Sequence, residues 1–483
     1  MAQPYLSVVV AARNDNHGGN MLGRMQAFLD SWMEQCERYR LPSEIVVVEW
    51  NPPAQRARLA DALRWPDSTG QCAVRLVEVS PEVHAAFPHS AAIPLHQMIA
   101  KNAGIRRSRG EYVLATNLDI VFSPELMRFL AERRLEHGAM YRMDRYDVAS
   151  AIPERTAGID RLLEHCQSHV LRVFANEGLF GCEGGELRSD EERDITGAGI
   201  GLGRGWMPVE RQDGLRYRWI ASEARVIFRR PAGMAKALAM GIDAEVGPSQ
   251  GSEPLLVEAL DEAGAVAAAS IEAHSRLRLV FPDAAESGAF TLRVHGRNLA
   301  LFPELRLLHL RVQELRWEAA PGGSTGWRLD VVETEPGTDW TKTWQAPAAR
   351  MHNAAYLHTN AAGDFTLLAR YDWFRMRGYP EFPIWPMHID ALFCYAAHHA
   401  GMREVVLRDP MRMFHIEHSS GAGWTPEGED ERNARVERLR VPVMDYNADF
   451  AKWVQRMRRL NAPAIFTLEN WGLGCEELPE RGV

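Results

Sequence analysis

Short apolar runs alternate with helix-like patterns over the first 150 residues. Four runs are apolar and rich in β-branched residues, which is typical of buried strands: 6–12, 45–48, 73–79 and 112–116. Between them, three stretches carry apolar side chains at helical spacing: 21–40, 55–64 and 91–108. The alternation of strand and helix predicts an α/β fold with a Rossmann-like, mostly parallel sheet.

The pattern changes after about residue 150 and changes back near residue 353. Residues 218–340 contain short alternating runs separated by Pro-, Gly- and Ala-rich connectors, which indicates a mostly-β module. We therefore expect one α/β domain that this module interrupts. The predicted parts are a first α/β half, a connecting segment, the β insertion, a second α/β half and a helical C-terminal extension: 1–150, 151–217, 218–340, 341–425 and 426–483.

Composition narrows the class of protein without changing this picture. The chain has 483 residues, of which 46% are hydrophobic and 25% are charged, and this balance excludes a disordered chain. The 55 Lys and Arg against 64 Asp and Glu give a net charge of −9, which disfavours a nucleic-acid binder. Six scattered cysteines without a C-x-x-C pair predict reduced thiols, so we expect a cytoplasmic protein.

Membrane signals are weak in the sequence. The N-terminus has no basic stretch ahead of a long apolar run, and no run reaches the roughly 18 apolar residues of a spanning helix. We expect no transmembrane segment, and peripheral contact with a membrane stays open.

Polar residues follow the predicted strands at the points where they end. They are Arg13 and Asp15 after the first strand, Glu49 at the end of the second, and Asn117 and Asp119, on either side of Leu118, after the fourth. In parallel sheets, ligands bind beyond the carboxyl ends of the strands. Carboxylates at that edge can bind a divalent cation or accept hydrogen bonds from hydroxyl groups. The sequence therefore predicts a ligand site there.

These segments also carry a family resemblance. In order, Ala12-Arg13-Asn14-Asp15, Val48-Glu49-Trp50-Asn51, residues 101–111 and Ala115-Thr116-Asn117-Leu118-Asp119 resemble the nucleotide-sugar half of family 2-like glycosyltransferases with the GT-A fold. A second series of segments resembles the acceptor half of that family: Gly378-Tyr379-Pro380-Glu381, Ile389-Asp390 and His415-Ile416-Glu417-His418. The resemblance covers roughly residues 5–148 and 353–420.

The resemblance implies a glycosyltransferase of the hexosyltransferase type, which moves a sugar from a nucleotide-diphosphate donor to a saccharide or glycan acceptor. Polysaccharide biosynthesis is the role that it implies. It places the nucleotide sugar against Arg13, Asp15, Glu49, Lys101, Asn102, Asn117, Leu118 and Asp119. It makes Asp119 the metal-binding carboxylate of the D-x-D motif, with His418 and His415 as further ligands. Imidazole ligands favour Mn²⁺, with Mg²⁺ as the alternative ion. The chain departs from the motif at Asn117, which stands in place of the first Asp.

The resemblance also implies catalytic and acceptor residues. Asp390 is the candidate base of an inverting transfer, and Glu381 is the second candidate. Tyr379, Trp373 and Trp385, together with Trp424, are candidates for stacking on the acceptor.

Simpler roles stay open for these residues at this stage: a helix cap for Asp119 or Asp390, a surface acid for Glu49, a salt bridge or turn for Arg13 and Asp15, a solvated Lys101, ordinary polar roles for the two histidines, and core aromatics.

Two other functions stay open as well. One is a catalytically inactive glycan-binding protein on a GT-A scaffold. The other is a sugar-phosphate nucleotidyltransferase, which is disfavoured because residues 12–17 lack the Gly-rich loop of that class.

Overall fold

The computed structural model describes residues 3–65, 70–183, 186–187, 194–231, 238–281, 287–320, 326–344, 354–418 and 429–483. The chain forms two compact units. The first contains Met1–Asn176 and Leu357–Val483, and the second contains Glu177–Tyr356. The first unit is α/β, and β-strands dominate the second.

The first part of the α/β unit alternates strands with helices. Its strands are β1 (Leu6–Ala12), β2 (Ser43–Trp50), β3 (Cys72–Val79), β4 (Tyr112–Thr116), β5 (Ile120–Phe122), β6 (Ala139–Met143), β7 (Arg145–Val148) and β8 (Val170–Phe174). Its helices are α1 (Met21–Tyr39), α2 (Leu59–Ala62), α3 (Pro81–Ala85), α4 (Gln97–Arg107), α5 (Pro124–Ala131) and α6 (Ile159–Ser168).

The second unit is built from short strands. They are β9 (Leu179–Glu183), β10 (Glu186–Leu187), β11 (Ile200–Leu202), β12 (Glu210–Gln212), β13 (Leu215–Ile220), β14 (Glu223–Arg229), β15 (Leu238–Val246), β16 (Leu255–Asp261), β17 (Val266–Ile271), β18 (His274–Val280), β19 (Ser287–His295), β20 (Leu310–Ala319) and β21 (Arg328–Glu335). Two sheets, ordered β11-β14-β19-β16-β17 and β12-β13-β20-β15-β18-β21, contribute to one apolar core. Along β14 every second side chain is buried, which explains the alternating sequence pattern.

The chain then returns to the α/β unit. The remaining elements are β22 (Thr366–Ala369), α7 (Arg370–Met376), α8 (Ile389–His399), β23 (Arg403–Leu407), β24 (Met413–Ile416), α9 (Glu429–Leu439), a π-helical turn (Tyr446–Phe450), α10 (Ala451–Leu460) and β25 (Glu480–Gly482).

The main sheet of this unit has the strand order β23-β6-β22-β4-β1-β2-β3-β25. The neighbours β4, β1, β2 and β3 are parallel, and so are β6 and β23. Strands β22 and β25 run antiparallel to their neighbours, so the sheet is mixed. The carboxyl ends of β1, β2 and β4 therefore meet at one edge.

Close packing of α4 on the sheet places its side chains at that edge. A Cβ atom on Gly104 would lie 2.4 Å from Cγ1 of Val9 and 3.0 Å from Cγ2 of Val48. Only glycine lets the helix approach β1 and β2 this closely. The same packing buries Lys101 and Asn102, which precede Gly104 by about one turn.

The structure differs from the sequence-based expectations in three places. The predicted helix at 55–64 is limited to Leu59–Ala62. Residues 151–176 include α6 and β8 and belong to the α/β unit, and the second unit extends to Tyr356. The C-terminal segment is helical only to Leu460, and its last strand pairs with β3, so it forms part of the main sheet.

Arginine side chains of α4 account for the position of the C-terminal segment. Arg106 donates to the carbonyl oxygens of Glu469 and Trp471, both at 3.1 Å. Arg107 donates to the carbonyl of Gly472 at 2.8 Å and to two carbonyls further along. These bonds satisfy backbone acceptors in a segment without regular structure.

Among the described helices, none combines the length and the apolar character needed to cross a membrane.

Candidate functional site

Strand pairing brings the predicted metal ligands together. Asp119 lies in the short loop between β4 and β5, His415 lies on β24, and His418 follows that strand. Because β24 pairs with β5, His415 stands opposite Ile120, and the backbone N–H of Ile416 donates to the carbonyl of Asp119 at 2.9 Å. The late histidines therefore reach the carboxyl end of β4.

The three side chains converge on one point. Oδ2 of Asp119 lies 3.2 Å from Nε2 of His418 and 3.8 Å from Nε2 of His415. Each residue offers one ligand atom, and these atoms lie within 4.8 Å of one another. The second oxygen of Asp119, Oδ1, is buried and has no hydrogen-bond partner. This arrangement fits a cation, and one that contacts both Asp119 oxygens would also satisfy Oδ1.

The two histidines stabilise the charged form of Asp119, and Asp119 stabilises that of His415. Burial alone would raise the pKa of Asp119, but His415 and His418 hold that pKa well below its usual range. Burial opposes a charge on His415, whereas Asp119 and Asp147 raise the pKa of its imidazole. The cluster thus contains an ionised carboxylate beside two imidazoles.

The loop after β1 packs directly against the cluster. Gly18 has a φ of +69°, and a Cβ on it would lie 2.4 Å from Nδ1 of His418. Arg24 of α1 is buried and donates to the carbonyls of His17 at 2.8 Å, of Gly18 at 3.3 Å, and of Gly19. Its Nε lies 3.9 Å from Oδ2 of Asp119. Arg24 therefore fixes the glycine loop beside His418 and Asp119.

Arg13 and Asp15 form a salt bridge with each other, which is one of the simpler roles that stayed open for them. NH1 of Arg13 lies 2.8 Å from Oδ2 of Asp15, and its Nε donates to the carbonyl of Asn51 at 2.8 Å. These contacts tie the loop after β1 to the end of β2.

Glu49 is buried at the same edge of the sheet and binds the N-terminus of α2. Both of its carboxylate oxygens accept from the N–H of Leu59, at 3.0 and 3.1 Å, so it is not a surface acid. Burial raises the pKa of Glu49 to about 7.

Lys101 is fully buried rather than solvated. Its Nζ donates to the carbonyl of Gly363 at 2.5 Å. Burial lowers the pKa of Lys101 to about 8, and Asp364 and Asp390 oppose that shift. Asp390 borders the same glycine, because a Cβ on Gly363 would lie 3.0 Å from its Oδ2.

The structure places Asp390 in the first turn of α8 and not at the cap position, which His388 occupies. Its Oδ1 accepts from the N–H of Ala391 at 2.9 Å. Burial raises the pKa of Asp390, and Lys101 partly opposes the rise. A half-buried carboxylate beside a buried ammonium group is a reasonable general base.

Glu381 and Asn102 hold a turn together. The Asn102 amide donates to Oε1 of Glu381 at 3.0 Å and to the carbonyl of Tyr379 at 2.9 Å, and its oxygen accepts from the N–H of Tyr379 at 2.8 Å. Glu381 also accepts from the N–H of Gly472 at 2.7 Å. Both polar atoms of the Asn102 amide and Oε1 of Glu381 are therefore engaged within the protein.

Two of the predicted acceptor residues lie in the core. Trp373 and Tyr379 are fully buried, and both rings pack against Phe393, with centroid distances of 4.6 and 5.0 Å. Their faces are covered by protein. Trp385 is half-buried, with the Arg435 guanidinium 5.6 Å from its ring, and Trp424 lies outside the described residues.

Asn117 links two elements across the site. Its oxygen accepts from Nε2 of Gln97 at 3.1 Å, and its amide donates to Oδ1 of Asp364. The other oxygen of Asp364 accepts from Arg145 at 2.8 Å. A carboxylate at position 117 would face Asp364, so the amide suits this position. Leu118 is buried among apolar side chains.

Sequence reasoning missed Arg24 and Asp147, although each left a signal. Arg24 is a charged residue on the apolar face of α1, between Met21 and Phe28. Asp147 lies in β7, two residues after Arg145, in a strand whose side chains are all buried. Charges at buried positions point to paired or functional groups.

No protein-family model matches the chain, and the search of curated proteins finds no match.

Proposed function

We propose that this protein is a metal-dependent glycosyltransferase with a GT-A-like α/β unit, which moves a sugar from a nucleotide-diphosphate donor to a saccharide-type acceptor. The observation that carries the proposal is the convergence of Asp119, His415 and His418 at the carboxyl edge of the sheet, with one buried Asp119 oxygen unpartnered. The order of motifs along the chain supports it. A cytoplasmic location and a role in polysaccharide assembly are part of the proposal.

The donor set indicates the kind of ion. Two imidazoles and one carboxylate suit Mn²⁺ and related first-row ions better than Mg²⁺, which prefers oxygen ligands. Asp119, His415 and His418 would hold the ion. When bound, a divalent ion would act as a Lewis acid on the leaving diphosphate.

Asp390 is the base in this proposal. It takes the proton of the acceptor hydroxyl as that oxygen bonds to the anomeric carbon and the bond to the diphosphate oxygen breaks. A single displacement of this kind inverts the configuration at the anomeric carbon. Lys101, which donates to Gly363 beside Asp390, keeps a positive charge next to this carboxylate.

The other predicted residues take supporting positions. Arg13, Asp15 and Glu49 shape the edge where the nucleoside would lie, through the bonds that fix the loop after β1 and the start of α2. We assign Asn102 and Glu381 to holding the 378–381 turn, because the Asn102 amide and Oε1 of Glu381 make hydrogen bonds there.

Release of nucleotide from sugar donors in the presence of Mn²⁺ tests the proposal. The wild-type protein should bind at least one UDP-, GDP- or dTDP-sugar. It should release the nucleotide slowly when water accepts the sugar and faster when a saccharide acceptor is present. Asp390→Asn should keep donor binding and lose release, because it keeps the size of the side chain and removes the base.

Three results would count against this account. Release at the wild-type rate by Asp390→Asn would exclude Asp390 as the base. Absence of binding and release with every donor would contradict the proposal. Glycan binding without any donor binding would instead favour the inactive glycan-binding alternative.

A further inference from the structure

His415 lies between two carboxylates. Its Nε2 faces Asp119 at 3.8 Å, and its Nδ1 lies 3.0 Å from Oδ1 of Asp147. Strands β24 and β7 are parallel, and His415 and Asp147 are paired in their register. The contact therefore comes from the sheet itself and not from a loop.

Two arginines hold the Asp147 carboxylate from its other sides. Arg145 donates from Nε to Oδ1 at 2.8 Å, and Nε of Arg172 lies 3.3 Å from Oδ2. Asp147 is fully buried, and carboxylates at such positions are normally ionised and paired. An ionised carboxylate can only accept hydrogen bonds. The atom of His415 that faces it must therefore be a protonated Nδ1.

Protonation at Nδ1 leaves the lone pair of a neutral imidazole on Nε2, which points toward Asp119. We propose that Asp147 is a positioning residue, which fixes the tautomer and the orientation of His415 so that Nε2 can bind the metal ion. The inference rests on the proposed function, because it assumes that the cluster around Asp119 binds a divalent ion.

A second metal site is the competing interpretation of the same residues. Asp147, His415 and Glu417 also lie close enough together to hold an ion. However, Arg172 lies 3.3 Å from Asp147 and 3.4 Å from Glu417, so both carboxylates already face a guanidinium group. The positive charge that this pair needs is supplied by the protein.

His418 provides a contrast within the same site. Its Nδ1 is buried and has no hydrogen-bond partner, so no carboxylate holds a proton on the nitrogen that points away from Asp119. Of the two histidines, His415 is thus the one whose Nε2 is made available by a carboxylate on its other nitrogen. Loss of Asp147 should therefore weaken metal binding through His415 alone.

Titration of the full-length protein with Mn²⁺, followed by the electron paramagnetic resonance signal of the free ion, tests the inference without an activity assay. Asp147→Asn removes the negative charge and replaces one of the two acceptor oxygens with a donor, so the group that holds the proton on Nδ1 of His415 is weakened. We expect the Mn²⁺ affinity to fall about 10- to 100-fold.

Asp144→Asn is the matched control. Asp144 is also buried in the α/β unit, and its Oδ1 lies 2.9 Å from Nε2 of His358. This variant removes an equivalent carboxylate–imidazole pair away from the metal ligands, so its Mn²⁺ affinity should stay near that of the wild type. Melting temperatures without metal show whether each variant is folded.

The ¹⁵N spectrum of histidine in the metal-free wild type gives a second readout, with the His415 signals assigned by their loss in His415→Gln. We expect protonation at Nδ1. A neutral imidazole with its proton on Nε2 and none on Nδ1 would overturn the inference, even if Asp147→Asn does not fold.

The remaining outcomes separate the two proposals. Equal Mn²⁺ affinity of Asp147→Asn and the wild type would overturn the positioning role and leave the proposed function intact. Absence of Mn²⁺ binding by the wild type would overturn both the metal site and the positioning role built on it, whatever the tautomer of His415.

Discussion

Asp119 carries two oxygens in different surroundings. One faces His415 and His418, and the other is buried without a hydrogen-bond donor. An unsatisfied buried acceptor costs about 1–3 kcal/mol. A cation that contacts both oxygens would remove that cost, so we expect metal binding to stabilise the folded protein.

Asn117 stands where the family motif has an Asp, and its amide fits the neighbouring Asp364 better than a carboxylate would. We predict that Asn117→Asp lowers the free energy of unfolding by about 1–3 kcal/mol, because it replaces a donor with a carboxylate facing Asp364. It should not tighten Mn²⁺ binding. Urea denaturation and Mn²⁺ titration measure the two effects.

Asn470→Asp is the control for this substitution, because Asn470 is exposed in the C-terminal segment. Its effect should stay within about 0.5 kcal/mol. If Asn117→Asp were as stable as the wild type and bound Mn²⁺ more tightly, the amide would not be the preferred group at this position.

Glu49 gives a prediction on pH. Its pKa is raised by burial from 4.5 to about 7, so the folded chain keeps this proton to a higher pH than the unfolded chain. Stability from this group is therefore fully present below pH 4.5 and is lost as the pH rises through 7. Glu49→Gln should abolish this loss.

The free energy of unfolding of Glu49→Gln relative to the wild type should increase by up to about 3 kcal/mol between pH 4.5 and pH 7.5. Urea denaturation at several pH values measures the difference. If the difference in unfolding free energy between Glu49→Gln and the wild type did not change with pH, the carboxyl group of Glu49 would have the same pKa in the folded and unfolded chains.

At the scale of elements, the loop between β1 and α1 is the part of the site most sensitive to shape. We predict that Gly18→Ala weakens Mn²⁺ binding at least tenfold, because the new Cβ would displace the imidazole of His418. A Mn²⁺ titration measures the effect.

Gly19→Ala is the matched control. Gly19 has a φ of +71°, close to that of Gly18, but nothing lies within 4 Å of a Cβ placed there. Both variants should lose about 1–2 kcal/mol of stability from the left-handed backbone. Equal Mn²⁺ affinities of the two variants would mean that the contact with His418 has no role in the site.

The elements predicted from the sequence are those with a strong apolar pattern. Strands β1 to β4 and the helices α1 and α4 follow from buried runs and helical spacing. Strand β25 has no such pattern, because all three of its residues are exposed. Its pairing with β3 depends on backbone bonds and on the contact of Glu480 with Arg75, which no local pattern reveals.

The candidate site was predictable to a similar degree. Asp119, His415 and His418 could be grouped because the family resemblance assigns all three to one metal site, and the structure brings them together. The burial of Trp373 and Tyr379 could not be predicted, because an aromatic side chain has the same sequence signal in a core and on a ligand-binding surface. The engagement of Glu381 depends on Gly472, which is distant in sequence.

At the scale of the whole chain, the β unit is an insertion between two neighbouring points of the α/β unit. The side chain of Asn360 donates to the carbonyl of Ala175 at 2.6 Å, so the two ends of the interruption lie close together. The β unit has an apolar core of its own.

We predict that replacing residues 177–356 with a short Gly-Ser linker leaves a folded α/β unit that binds Mn²⁺ as tightly as the full chain. Closing a short loop costs little compared with the core that remains. Circular dichroism, cooperative thermal unfolding and a Mn²⁺ titration measure the result. A deletion variant that unfolds without cooperativity would show that the α/β unit depends on the insertion.

The central claim is metal-dependent binding of a nucleotide-diphosphate sugar at Asp119. The most direct measurement is a thermal-shift screen of UDP-, GDP- and dTDP-sugars with and without Mn²⁺, on the wild type and on Asp119→Ala. We expect at least one donor to raise the melting temperature of the wild type only when Mn²⁺ is present, and to leave Asp119→Ala unchanged. No shift with any donor, or a Mn²⁺-dependent shift that persists in Asp119→Ala, would contradict the claim.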